Sequence, residues 1–152
     1  MKKLQAKNEI IINASVGKIW SIITDINLLH KVNPGVLSAT GKMDKQGETR
    51  TCEIENKGKK GIMTEKLVEL VPEKRTVWSL ENDTLGMTKM LKEVQFVFHI
   101  EKNDDKTTRV TNETYYRPGN IIAAIMNGLM MKKMISKTQQ QILVNLKKLA
   151  EN

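Results

Sequence analysis

The reactive side chains of this sequence are few and scattered. Cys52 is its single cysteine, and His30 and His99 are its two histidines. They stand 22 and 47 residues from that cysteine, with no Cys-x-x-Cys or His-x-x-x-His spacing, so a zinc site would have to be assembled from distant positions. A Cys/His nucleophilic pair needs proximity only in space. Yet His99 falls on the polar side of an alternating strand, and His30 lies in a polar segment beside Lys31. These residues read as a small core cysteine and two surface histidines. The pairs Glu53/Glu55 and Glu65/Glu69 have the side-chain types of an acid/base couple. Each pair reads as sharing one strand face among charged and polar neighbours, where solvation keeps carboxylates ordinary, so surface decoration is expected. No Gly-x-Gly-x-x-Gly, phosphate loop or Gly-x-Ser-x-Gly occurs. Nucleotide-dependent and hydrolase chemistry therefore have no foothold, and no catalytic residue, metal ligand or cofactor is expected.

More informative are polar residues on faces expected to turn inward. Lys92 shares strand parity with Phe96 and Phe98, and Asn112 and Thr114 share it with Val110 and Tyr116. A buried polar group without a partner costs about 1–3 kcal/mol. Such groups either orient a guest or bond locally, with Lys92 snorkelling out at a strand end. Methionine use points the same way: four lie between Met126 and Met134, around a glycine, Gly128. Leucine fills a core with better-defined rotamers. A flexible thioether suits a wall that adapts to varied apolar shapes, and a glycine there would admit a guest or a strand; plain core filling is the alternative.

These residues need elements to position them. "EIIIN" reads as a first strand. In "NASVGKIWSIITD", Val16, Ile19, Trp20 and Ile23 recur at helical steps, with Asn13 or Ser15 as the cap. A second short helical segment ends at Asn33-Pro34-Gly35. From there to residue 116 the chain reads as strands joined by polar turns at 44–48, 56–61, 71–75, 82–87 and 102–106, an antiparallel meander. Trp78 and Leu80 share one face, as do Val94, Phe96, Phe98 and Ile100. Asn120 caps a final helix whose apolar stripe is expected along Ile121, Ile125, Gly128, Met131, Ile135, Ile142, Leu146 and Leu149.

At 152 residues the chain has the length of one ordinary domain. One cysteine allows no internal disulfide, and "MKKLQAKNEI" has no apolar stretch behind its lysines, so a cytoplasmic protein is expected. The formal charge is +8; residues 119–152 contribute +4 of it, with five lysines (Lys132, Lys133, Lys137, Lys147, Lys148) against Glu151. A basic helix face can meet nucleic acid, anionic lipid or an acidic partner. Only six aromatics occur, none in a stacking motif among clustered basic residues, so nucleic-acid binding is not expected.

Taken in order, "IIINASVGKIWSIITD", "KGIMTEKLVELVPEKRTVWSL", "TTRVTNETYYRP" and the closing "LVNLKKLAEN" resemble the START-related SRPBCC superfamily, in its polyketide cyclase/dehydrase-like branch. The resemblance implies one α+β helix-grip domain over residues 1–152. Its curved seven-stranded antiparallel sheet wraps around a long C-terminal helix, with two short helices between strands 1 and 2. It also implies a cavity between sheet and helix for a small hydrophobic ligand, a lipid, polyketide or similar molecule. A cyclase/dehydratase-type enzyme is the alternative, and transient docking on anionic membrane or an acidic partner a further one. No catalytic residue is shared across that superfamily, so no catalytic role carries over. On this reading Trp78, Phe96, Phe98, Asn112, Thr114 and Tyr116 line the cavity from the sheet, and Ile121, Ile125, Gly128, Met131 and Ile135 from the helix. Oligomeric state is left open.

Overall fold

Alternating side chains and short polar turns carry the chain back and forth through one antiparallel sheet. The computed structural model describes residues 1–152. The strands are β1 (Lys3–Ile12), β2 (Val36–Gly41), β3 (Thr49–Asn56), β4 (Lys59–Val71), β5 (Arg75–Asp83), β6 (Leu91–Lys102) and β7 (Thr108–Pro118). They lie in the order β1-β7-β6-β5-β4-β3-β2, so the meander closes back onto its first strand. The tightest connection, Lys57-Gly58, has both residues at positive φ, the backbone of a two-residue hairpin turn whose twist matches its strands.

Between β1 and β2 lie α1 (Val16–Ile23), a 3₁₀ turn (Ile26–Leu28) and α2 (Leu29–Val32). Ser15 rather than Asn13 caps α1, its hydroxyl accepting from the Lys18 amide at 3.2 Å. The sequence gives no warning of α3 (Met87–Met90), a single turn between β5 and β6. It forms around the Asp83 carboxylate, which accepts from the amides of Leu85, Met87 and Thr88 and from the Thr88 hydroxyl. Burial opposes the charge on Asp83, but those hydrogen bonds outweigh it and hold the carboxyl below its ordinary pKa.

The terminal helix starts at Asn120, whose side chain accepts from the Ala123 amide at 2.8 Å. It comprises α4 (Ile121–Met126), a π-helical turn (Asn127–Met131) and α5 (Lys132–Glu151). Its buried or half-buried inner line is Ala123, Asn127, Met131, Ile135, Gln139 and Leu143, in steps of four. A regular α-helix drifts about 40° per such step. The wider π turn absorbs part of that drift and keeps the line on the sheet.

Two expectations fail at bulges. Sheet pairing slips between Leu67 and Glu69, with Val68 left over, so Glu65 and Glu69 face opposite ways. Glu65 is buried inside and Glu69 sits outside near Arg75. Pairing slips again between Lys92 and Gln95, at Glu93 with φ 56°. Lys92 therefore leaves the parity of Phe96 and points outward, donating to the Thr88 carbonyl at 2.7 Å. Both bulges also bend the sheet around the helix.

The densest packing lies at the helix's second half. Ile142, Leu143, Leu146 and Ala150 join Ile19 and Ile22 of α1, Val32 of α2 and Ile12, Ala14, Ile100 and Val110 in one cluster of 11 buried residues. Toward the other end the interior divides into clusters of 8 and 3, around Tyr116 and Trp78. No helix is long and apolar enough to cross a membrane.

Candidate functional site: a polar anchor on the concave face

The concave face is assembled by strand alternation. β3 turns Arg50, Cys52 and Ile54 inward, and β4 turns Met63, Glu65 and Leu67 inward. Trp78 and Leu80 follow on β5, with Trp78 paired to Leu67 on one side and Phe96 on the other. Phe96 and Phe98 in turn sit opposite Thr114 and Asn112 of β7. Met131 and Ile135 pack over this surface from the helix.

In the middle of this largely apolar surface lies a charged pair. Arg50 and Glu65 are cross-strand neighbours, and the Arg50 Nε donates to the Glu65 carboxylate at 2.5 Å with both groups buried. The guanidinium carbon lies over the Trp78 ring, 3.8 Å from its centre, a cation–π contact that helps hold it in place. Its terminal nitrogens donate to no protein acceptor. Cys52 lies one inward position along β3. Burial, reinforced by the Glu65 charge and only partly offset by Arg50, pushes its thiol up to about 11. At neutral pH it is a protonated, packed side chain rather than a nucleophile.

Tyr116 is fully buried, its hydroxyl donating to the Asn127 side chain, which in turn donates to Gln5 at 3.3 Å. Burial pushes the Tyr116 phenol up to about 12. Thr114 accepts from Gln139 at 2.7 Å, and Gln139 accepts from Asn8 at 2.8 Å. These contacts tie the helix to β1 and β7. The side chain of Asn112 is buried beside them, opposite Phe98 of β6.

Of the residues expected to line a cavity, the structure places Trp78, Phe96, Phe98, Asn112, Thr114 and Tyr116 on the concave face, with Met131 and Ile135 opposite, though Phe98 packs against the cluster at the helix's second half. Ile121, Ile125 and Gly128 are not among them. They face solvent, and a Cβ added at Gly128 meets nothing within 4 Å. The expected stripe is out of phase here because the inward positions are small and polar, Ala123 and Asn127, while isoleucines point outward. Arg50 and Glu65 were missed because charged residues in strands are expected outside. The available signal was their parity with Cys52, Ile54, Met63 and Leu67.

A second polar cluster occupies the opposite, convex face. Glu113 lies within 3.3 Å of the Lys7 ammonium and 3.2 Å of the His99 ring, and accepts from the Tyr115 hydroxyl at 2.8 Å. Burial opposes its charge, but these partners prevail and hold its pKa below the ordinary value. His99 is thus outside, as expected, but engaged. Nearby, His99 and Arg75 border an open depression of about 710 Å³ at the ends of β4 and β6.

The sequence model of the family described as polyketide cyclase / dehydrase and lipid transport matches residues 3–151. No curated protein sequence matches the chain. Among solved structures, the Zhui aromatase/cyclase from Streptomyces sp. R1128 is similar at a TM-score of 0.80 and 11% identity, over 99% of this chain and 94% of that one. Major latex-like protein 151 from Panax ginseng is similar at a TM-score of 0.76 and 12% identity, over 99% of both chains. Norcoclaurine synthase from Thalictrum flavum, solved with dopamine and hydroxybenzaldehyde, is similar at 0.71 and 14%, over 98% of this chain and 86% of that one. At such identities these likenesses are of fold alone.

Proposed function

The chain belongs to the polyketide cyclase / dehydrase and lipid transport family, within the START-related SRPBCC superfamily, and from that premise we propose that it binds a small hydrophobic molecule carrying one polar oxygen function. The guest lies between the concave face and the terminal helix, its apolar body against Trp78, Phe96, Phe98, Met131 and Ile135. Its oxygen accepts from the terminal nitrogens of Arg50, and Asn112 supplies a second polar contact.

The Arg50–Glu65 pair carries this reading. A buried ion pair is a poor source of stability, since apolar residues of similar volume often serve as well or better by about 1–4 kcal/mol. A protein that needed only a core at this place would have no use for it. Held over Trp78 and oriented by Glu65, the guanidinium instead presents a fixed set of donors to an acceptor in a low-dielectric surrounding, where such bonds are strong.

The enzymatic alternative rests on the same pair. An arginine that polarises a carbonyl, next to a carboxylate that can take a proton, has the elements of a cyclisation or dehydration step. Carriage and catalysis differ in whether the guest leaves changed.

The test is the double substitution Arg50→Met/Glu65→Met, compared with the wild type by native mass spectrometry of co-purifying material and by uptake of an apolar fluorescent probe. The double variant is expected to melt at or above the wild-type temperature while losing the co-purifying guest. Arg50→Met alone, which strands the Glu65 charge, is expected to lose about 3–5 kcal/mol. A double variant that keeps its guest refutes the anchor.

A further inference from the structure

Of the fourteen large apolar side chains the protein exposes, six fall between Ile121 and Met134: Ile121, Ile122, Ile125, Leu129, Met130 and Met134. Scattered exposed apolar residues are ordinary, but six gathered on one helical stretch are not. Ile121 and Ile122 are 80% and 73% exposed, more than any other large apolar residue beyond Met1. Exposed Met90 extends the patch, because its carbonyl accepts from the Gly119 amide at 2.7 Å and so holds α3 against the helix start.

Beside these side chains runs a basic groove of about 680 Å³ between β1 and α5, bordered by Lys7, Lys132, Lys133 and Lys137 with Gln5 and Gln140. No carboxylate lines it. Lys7 leans toward Glu113, but Lys132, Lys133 and Lys137 enter no ion pair. The only acid of residues 119–152, Glu151, is at the far end of α5, paired with Lys147 at 3.2 Å.

Apolar side chains on one helical stretch with unpaired lysines along its flank suit one environment, the boundary between lipid head groups and acyl chains. We propose that residues 121–137 form a docking surface for an anionic lipid bilayer, with the isoleucines, Leu129 and methionines entering the acyl boundary while Lys132, Lys133 and Lys137 meet lipid phosphates. A second copy of the chain fits less well, because stacking this surface on itself brings the same lysines together. The surface points away from the concave face, so the inference stands independently of what the interior holds.

The experiment is co-sedimentation of the full chain with vesicles of phosphatidylcholine alone and of phosphatidylcholine mixed with phosphatidylglycerol, at low and high salt. Binding to the anionic vesicles, weakened by salt, is expected. Neutralising each lysine should weaken it about fivefold, so Lys132→Gln/Lys133→Gln/Lys137→Gln should lose about a hundredfold. Ile121→Ser/Ile122→Ser/Leu129→Ser should lose about tenfold or more with all lysines present. Both variants alter exposed side chains and are expected to keep the wild-type melting temperature. Equal binding to neutral and anionic vesicles, insensitivity to salt, or no binding to either overturns the proposal. So does a wild-type dimer, seen by sedimentation velocity, that the serine variant dissolves while vesicle binding is unchanged.

Discussion

From Gln139 to Ala150 the terminal helix buries Gln139, Ile142, Leu143, Leu146 and Ala150, whereas from Ile121 to Met134 it buries only Ala123 and Asn127. The second half is seated by apolar side chains that interlock with α1 and three strands. The first half is tied down by one small residue, one hydrogen-bonded amide and the half-buried Met131, and shows most of its large apolar side chains to the outside. One helix therefore combines a fold anchor with a segment whose attachment is light, and the π turn lies within that light segment. Local stability follows buried apolar contact, so opening motions should begin in the first half. Such a segment can admit a guest to the concave face while the rest of the fold stays closed.

The contrast is broken most directly by truncating one leucine in each half. Leu146 is completely buried, and Leu146→Ala should cost about 2–5 kcal/mol through lost burial and the cavity left behind. Leu129 is exposed, and Leu129→Ala should stay within about 0.5 kcal/mol. Chemical denaturation of both variants checks the pair. A Leu129→Ala loss comparable to that of Leu146→Ala would mean that the first half is packed after all.

That division was only half legible in the sequence. The second half was readable because Ile142 and Leu146 are apolar, inward and in phase with a 3.6-residue period, and the strand meander was readable because its turns sit at regular intervals. The first half misled because apolar residues lie on its outer side too, so the stripe through Ile121, Ile125 and Gly128 fitted the period and missed the face. Asn127 was no part of the expected stripe; its bond to Tyr116 explains its inward place. The anchor was hidden in a different way. Alternation put Glu65 among strand carboxylates, and the bulge at Val68 that separates it from Glu69 depends on pairing with β5, which local sequence does not encode. Lys92 follows the same logic at Glu93.

The polar tie offers a finer test. Asn127→Ala leaves the buried Tyr116 hydroxyl without its acceptor and should cost about 1–3 kcal/mol, whereas Tyr116→Phe should cost about 1 kcal/mol while leaving only the smaller orphan at Asn127. The tie also has a pH signature. The folded phenol is held near 12, above its ordinary value of 10.0, so its contribution is intact below pH 10 and is lost as pH rises toward 12. Hydrogen exchange in the peptide covering residues 121–135 should therefore rise across that window relative to α5. In Tyr116→Phe the window should disappear. A rise that is equal in both halves would mean that the helix loosens as one body.

The smallest effect concerns Gly128, which sits in the π turn in the middle of the lightly attached half. A Cβ there meets nothing, and the residue does not have positive φ, so no steric reason demands glycine. In a helix interior glycine is about 0.8–1.0 kcal/mol less favourable than alanine, because it leaves more backbone freedom to be lost on folding. If the position is only a passive stretch of helix, Gly128→Ala should recover about 0.5–1 kcal/mol and slow exchange on both sides of the turn. Uptake of an apolar probe separates the remaining explanations. A variant that is more stable yet takes up the probe more slowly identifies the glycine as the hinge that lets the first half move, with stability given up for mobility. A variant that is more stable with unchanged uptake leaves the light attachment of Ala123 and Asn127 as the sole source of that mobility. A destabilised variant would show that the π turn itself requires glycine, and the turn would then be a fixed feature of the fold rather than a flexible one.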